Sequence, residues 1–263
     1  MRSPLHFAIE TSDEKVVNLL LEAGADIDIH AKHSEMTPPA FSAIFENAPG
    51  NNPKILKALL DHGADPNSRF KQGSILGRAV GYHRPGNVQV LLDAGARVDY
   101  MDPGMYTALR IAVDLGATDS VHILLEHGAN PNTVHQQNRT PLSYSIRGKL
   151  EITADLLEHG ADPNALFGTP SGYACLIAAI SAESIEKATL LLNHKADPNQ
   201  KGFDGDSPLH WSIKKGNHEI TPQPWCESQR TQRRWRIPSG QGKTSRGIQN
   251  REQFRQQDSC YFV

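Results

Sequence analysis

The stretch TALRIAVDLGATDSVHILLEHGANPNTVHQQNRTP, residues 107–141, decides the fold. It opens on Thr107, whose hydroxyl suits it to cap a free backbone N–H at a helix start. ALRIAVDL follows, short and with small side chains on one face, which suits a helix packed closely against neighbours. Gly116 marks a turn. SVHILLEH (120–127) then places Val121, Leu124 and Leu125 at the i, i+3, i+4 spacing of a buried helical stripe. Gly128 can adopt the left-handed conformation that closes a helix, and Ala-Asn-Pro-Asn (129–132) reads as a turn-rich link. With Thr140-Pro141 the pattern restarts, Pro fitting the first helical position.

Working outward, the same two phrases recur along the chain. The helix-start phrase stands at SPLHFAI (3–9), TPPAFSAI (37–44), SILGRAV (74–80), TALRIAV (107–113), TPLSYSI (140–146), ACLIAAI (174–180) and SPLHWSI (207–213). Its intervals are 34, 37, 33, 33, 34 and 33 residues. Between its copies run LLLEAGADID (19–28), LLDHGADPN (59–67), LLDAGARVD (91–99), LLEHGANPN (124–132), LLEHGADPN (156–164) and LLNHKADPN (191–199). One such unit cannot bury its apolar stripe alone, so successive copies must stack into a continuous core.

These phrases closely resemble the ankyrin repeat, a 33-residue unit with a T-P-L-H-x-A signature. The resemblance covers residues 1–219 and implies an all-α solenoid: two antiparallel helices per copy, with a β-turn finger between copies. The departures are local. ENAPGNNP (46–53) is an insertion at a bend, the fifth copy loses about one residue from its first helix, and the third lacks the Pro. Lys195 replaces the helix-ending Gly in the sixth copy. Its left-handed geometry, if kept, costs about 1 kcal/mol. The seventh copy stops half-way, since TPQPW (221–225) cannot continue a helix. His6 and His210 hold the T-P-L-H position, where the resemblance implies that the imidazole ties the turn. It also implies that Asn67, Asn132, Asn164 and Asn199 resemble substrates of asparaginyl hydroxylases; on their own they read as turn-shaping residues.

Composition bounds the rest. Of 263 residues 38% are hydrophobic, and the net charge is −2. That charge hides an asymmetry: residues 1–219 balance at −7 and residues 220–263 at +5. Cys175, Cys226 and Cys260 form neither a disulfide framework nor a zinc pair, which favours a reducing compartment. The expected location is cytoplasmic or nuclear. No apolar run reaches the roughly 18 residues of a membrane span. The segment 220–263 matches no repeat phrase and reads as a basic, disordered tail, with two origins open: a real interaction segment or a gene-model artefact.

Several strings imitate active motifs. Gly240-Gln241-Gly242-Lys243-Thr244 looks like a phosphate loop, but Ile237 stands where its first Gly belongs. Cys260-Tyr261-Phe262-Val263 has the register of a prenylation box with aromatic middle residues. Arg230, Arg233, Arg234 and Arg236 beside Trp225 and Trp235 admit nucleic-acid contact through the tail alone. His62, His127, His159 and His194 recur once per copy, so they lie on successive layers instead of converging on a metal.

Read together, these features predict a non-catalytic protein–protein interaction module, a scaffold or adaptor, monomeric, with no cofactor, metal or small-molecule substrate. Two alternatives stay open: a fragment or regulatory, substrate-receptor subunit of a larger multidomain protein, and nucleic-acid or membrane-surface contact through the tail. The resemblance implies that partners bind at the finger tips and the exposed side of first helices. By position these are Phe70, Lys71, Pro103, Tyr106, Gln136, Gln137, Arg139, Tyr173, Phe203, Asp204 and Asp206 on fingers. On first helices they are Glu10, Tyr82, Asp114, Leu115, Ser181, Lys214 and Lys215. Exposed aromatics are typical anchors, which singles out Phe70, Tyr82, Tyr106, Tyr173 and Phe203. The alternative for each is packing on the next finger.

Overall fold

A computed structural model describes residues 3–29, 37–39, 42, 52–70, 73–168, 172–202 and 204–215, with Phe70 and Lys215 described by backbone alone. The tail, Gly216 and most of the insertion at 46–53 lie outside the described residues. What is described follows the repeat: first helices at Pro4–Glu10, Ile75–Gly81, Ala108–Leu115, Pro141–Ser145, Cys175–Ser181 and Pro208–Lys215. Second helices run over Glu14–Glu22, Pro53–Asp61, Pro85–Asp93, Thr118–Glu126, Leu150–Glu158 and Ile185–Asn193. Within a copy the described helices pack on each other; second helices pack on one another from copy to copy, and first helices do so from the third copy to the fifth and from the sixth to the seventh. None of the described helices is long and apolar enough to cross a membrane.

Helix starts follow the caps read from the sequence. Ser3, Ser74, Thr107 and Thr140 each accept a backbone N–H through the side chain, while Ala174 in the sixth copy supplies no side-chain cap. At the first and seventh copies His6 and His210 complete the cap, with Nδ1 lying 2.8 and 2.7 Å from Ser3 Oγ and Ser207 Oγ. Helix ends follow the glycines: Gly24, Gly63, Gly95, Gly128 and Gly160 all have φ between +79° and +97°. Lys195 holds the same geometry at φ +68° without glycine's freedom. Between the helices of a copy the turn is also left-handed, at Ser12, His83, Gly116 and Glu183. Only one of those four is glycine, so the turn is imposed by packing where residue type does not favour it.

The core is the stacked stripe. Val121 and Leu124 are fully buried and Leu125 nearly so, and Leu59, Leu91, Leu156 and Leu191 repeat the position of Leu124. Each fully buried aliphatic side chain contributes about 1.5–3 kcal/mol, which accounts for the insistence on LL in every copy. The links add directional bonds. Asn132 Oδ1 accepts from Asp162 N at 2.7 Å while its Nδ2 donates to Gly160 O at 2.9 Å. Asn164 repeats this with Asp197 N and Lys195 O, and Asn67 accepts from Arg97 N. These asparagines therefore tie adjacent copies together as well as shaping their own turns.

The shortened fifth copy has its own remedy. Its first helix spans only Pro141–Ser145, leaving carbonyls without helical partners. The ammonium of Lys187, from the second helix of the sixth copy, donates to Ser145 O (3.0 Å), Ile146 O (2.7 Å) and Gly148 O (2.6 Å). Burial holds the Lys187 pKa below the usual lysine value.

Candidate protein-binding surface

Fingers precede the first helices. In the third copy Arg69–Phe70 pairs antiparallel with Gly73–Ser74, and in the sixth Leu166–Phe167 pairs with Tyr173–Ala174. Each finger ends at a helix cap, so its last residue and the exposed side of its first helix share one surface.

On this surface a row of rings and guanidinium groups runs across three copies. Arg110 lies 4.3 Å from the ring centres of both Tyr106 and Tyr144, and its Nη2 pairs with Asp114 at 3.2 Å. Arg139 continues the row, 5.3 Å from Tyr144 and 5.6 Å from Phe167, and Phe167 in turn faces Tyr173 at 6.2 Å. Such cation–ring contacts are worth about 0.5–2 kcal/mol each, more when desolvated. Gly104 makes room for the start of the row, since a Cβ there would fall 2.8 Å from the Tyr106 ring. His135 is buried beneath it with Nδ1 2.9 Å from Met105 O, so that nitrogen carries the proton. Burial first, and Arg110 next, hold His135 below the usual histidine pKa, while the bond to Met105 opposes them. Burial raises the Tyr144 pKa.

The residues expected from sequence divide clearly by environment. Tyr82, Tyr106 and Leu115 expose 38%, 37% and 45% of their surface. Pro103, Gln136 and Gln137 are exposed, and so is Asp114, although it is paired with Arg110. Gln137 sits at φ +58° and its carbonyl accepts from Gly168 N at 2.7 Å, which links the fifth finger to the sixth. Arg139 and Tyr173 are half-buried inside the row. Asp204 is exposed, its Oδ1 accepting from Asp206 N, while Asp206 pairs with the exposed Lys214. Glu10 and Ser181 are half-buried. Lys71, Phe203 and the side chains of Phe70 and Lys215 lie outside the described residues.

Sequence reasoning missed Arg110, the centre of the row. The available signal was its place in the T-P-L-H register, where His6 and His210 stand in other copies. It also missed Met101, Val134 and Leu166, three exposed apolar residues at one register position in successive fingers. Elsewhere the chemistry is quiet. Burial pushes the Cys175 thiol up to about 12, so the reactive thiolate is disfavoured. Among the described residues no three His, Cys, Asp or Glu side chains are grouped to hold a metal ion.

Comparison with known proteins agrees with this geometry. Residues 76–167 match the family described as ankyrin repeats (3 copies), and residues 2–32 match the single ankyrin repeat. Human B-cell lymphoma 3 protein is 28% identical over 217 residues, 79% of this chain and 46% of the relative. The E3 ubiquitin-protein ligase KEG of Arabidopsis thaliana is 28% identical over 236 residues, 83% of this chain and 14% of the relative. The chain thus spans less than half the length of these curated relatives. Among solved structures, the ankyrin repeat domain of Bcl-3, a member of the IkappaB family, superposes with TM-score 0.69 at 26% identity. That match covers 80% of this chain and 93% of the other. The human ASB11 ankyrin repeat domain gives TM-score 0.64 at 23% identity, covering 85% and 100%, and is a likeness of fold.

Proposed function

Because this chain is an ankyrin-repeat solenoid, we propose that it works as a protein–protein interaction module, a scaffold or adaptor that recognises a partner through its fingers and first helices. The observation that supports this reading most directly is the pair Tyr82 and Tyr106. Both are large, both keep over a third of their surface in solvent, and both stand on rigid supports. Tyr106 is held by Arg110 and Gly104, and Tyr82 caps the end of its helix. An aromatic held in place loses little entropy on binding, which is the character of an interface anchor.

The test is partner capture by the full chain in native cells, compared with a Tyr82→Ala/Tyr106→Ala variant. The double variant loses captured proteins, with affinity for each falling about tenfold or more. Tyr82→Ala leaves stability within about 0.5 kcal/mol. Tyr106→Ala costs about 1 kcal/mol because it uncovers Arg110. Unchanged capture by a folded double variant rejects this surface as the docking site. A second reading, that the repeats are the recognition part of a larger assembly, is supported by the greater length of the relatives that match.

A further inference from the structure

A buried histidine joins the fourth finger to the fifth. His135 is 2% exposed, and its Nδ1 donates to Met105 O at 2.9 Å. In the fourth copy the same register position holds Asp102, whose Oδ1 accepts from Tyr106 N within its own finger. The imidazole reaches back across the stack instead. Its ring stands edge-on to Tyr144, with centres 6.3 Å apart, and Tyr144 in turn carries Arg110 at 4.3 Å.

The polar atoms around this ring suit it only while it is neutral. With the proton on Nδ1, Nε2 is an acceptor. Among the described residues no protein group bonds that Nε2, nor Arg110 Nε or Nη1, and all three atoms are buried. A second proton turns the acceptor into a third buried donor without an acceptor, and sets a cation against Arg110. Of the charges facing His135, Arg110 opposes that proton and Asp114 favours it. Asp114, however, is already paired with Arg110 Nη2 at 3.2 Å. Its own finger adds another cation, Arg139, 5.3 Å from the Tyr144 ring. Tyr106 and Tyr144 stay neutral where a histidine titrates. The bond to Met105 keeps its donor on protonation, so what the proton disfavours is the buried place of the ring.

The neighbouring bonds show where the joint parts. Besides His135, Gln136 Nε2 ties the fifth finger to Gly104 O of the fourth, exposed and 3.4 Å long. Toward the sixth finger, Gly168 N donates to Gln137 O at 2.7 Å and Asn138 Nδ2 to Leu166 O at 2.8 Å, and none of these groups titrates. Met105, Gln137 and Asn138 are all left-handed, at φ +60°, +58° and +55°. Such strain persists only while the surroundings enforce it, and it collects in switch regions. We propose that His135 is a proton-operated latch. Neutral, it holds the fifth finger against the fourth; protonated, it leaves its site, and the two fingers separate while the fifth stays with the sixth. The separation uncovers Arg110 and frees Tyr106, so the surface carrying that ring responds to pH.

The released ring titrates near 6.5, and the seated one below it because burial, first, and Arg110 disfavour the charge. The latch is therefore fully held above about pH 6.5. Below that the open fraction rises by up to about tenfold per pH unit, until the seated ring itself titrates.

Met101 and Met105 both lie in the fourth finger, so methyl-labelled methionine in the full chain reports on the joint by NMR. Between pH 7.5 and 5.5 the Met105 methyl signal moves and the nuclear Overhauser contacts between the His135 and Tyr144 rings fade. The amides of Glu14–Glu22 and Pro53–Asp61 stay in place. His135→Asn keeps a donor near the Nδ1 position and cannot titrate, so its Met105 signal is flat over that range. Arg110→Met removes the facing cation and moves the midpoint to higher pH. Ring contacts retained by a protonated His135, a Met105 signal indifferent to pH, or the same transition in His135→Asn overturns the latch. So does a midpoint that Arg110→Met leaves in place, or loss of the Glu14–Glu22 amides at the same pH, which would mean that the proton unfolds the whole array.

Discussion

Lys187 and Lys195 are a few residues apart and have opposite effects on the fold. Lys187 is 5% exposed and satisfies three carbonyls at the end of a truncated helix. Lys187→Met keeps the stem and removes the donors, so unfolding in urea shows a loss of about 2–3 kcal/mol. A loss below about 0.5 kcal/mol would mean that water replaces the ammonium without penalty. Lys195 is exposed and left-handed, with φ +68°. Lys195→Gly relieves that conformation and raises stability by about 1 kcal/mol, seen as a higher melting temperature. The position of Lys195 was legible in the sequence because one copy broke a pattern that five others keep. The role of Lys187 was not legible, because its partners lie about 40 residues away and are main-chain atoms.

At the scale of elements, second helices are stitched across copies by histidines that follow their last residues. His159 Nδ1 lies 2.8 Å from Asp155 O, so that nitrogen is the one that carries the proton in the neutral ring. His159 Nε2 then faces Glu126 Oε1 on the preceding helix at 3.3 Å, an attraction only when the ring is protonated. The other groups facing it are the Asp155 carboxylate on its own helix and His122 on the preceding one, with ring centres 6.4 Å apart. The next second helix, Ile185–Asn193, carries Glu186 and Lys187 at its opposite end. The bond to Asp155 O, first, and Glu126 raise the His159 pKa above its usual value. The folded state therefore holds the proton more tightly. The stabilisation is fully present below the unfolded pKa of about 6.5 and is lost as pH rises through the folded one. His159→Gln lowers the melting temperature more at pH 6 than at pH 8; an equal loss at both would deny the stitch. The comparison is made variant against parent, because the buried, neutral His135 gives the opposite pH slope in both. His127 differs: Gln89 Nε2 and Asp93 Oδ1 both lie 3.2 Å from its Nε2.

For the repeat array as a whole, stability is shared between neighbours, since each copy buries its stripe against the next. Leu124→Ala, at a fully buried centre, costs about 3 kcal/mol. Hydrogen exchange then rises in the third and fifth copies as well as the fourth; a change confined to residues 107–132 would contradict shared stability. By itself the sequence determined the helices, their caps and their order. Those features depend on residues a few positions apart, and the 33-residue period repeats the same local instruction. It also located some exposed positions of the fingers, Pro103, Tyr106, Gln136, Gln137 and Asp204, because register carries over from copy to copy. Only the tertiary structure decided which of those residues meet. The row from Tyr106 through Arg110, Tyr144 and Arg139 to Phe167 and Tyr173 is joined by side chains of different copies facing each other across the stack. Their contacts depend on the distance and tilt between copies, and no local pattern encodes those.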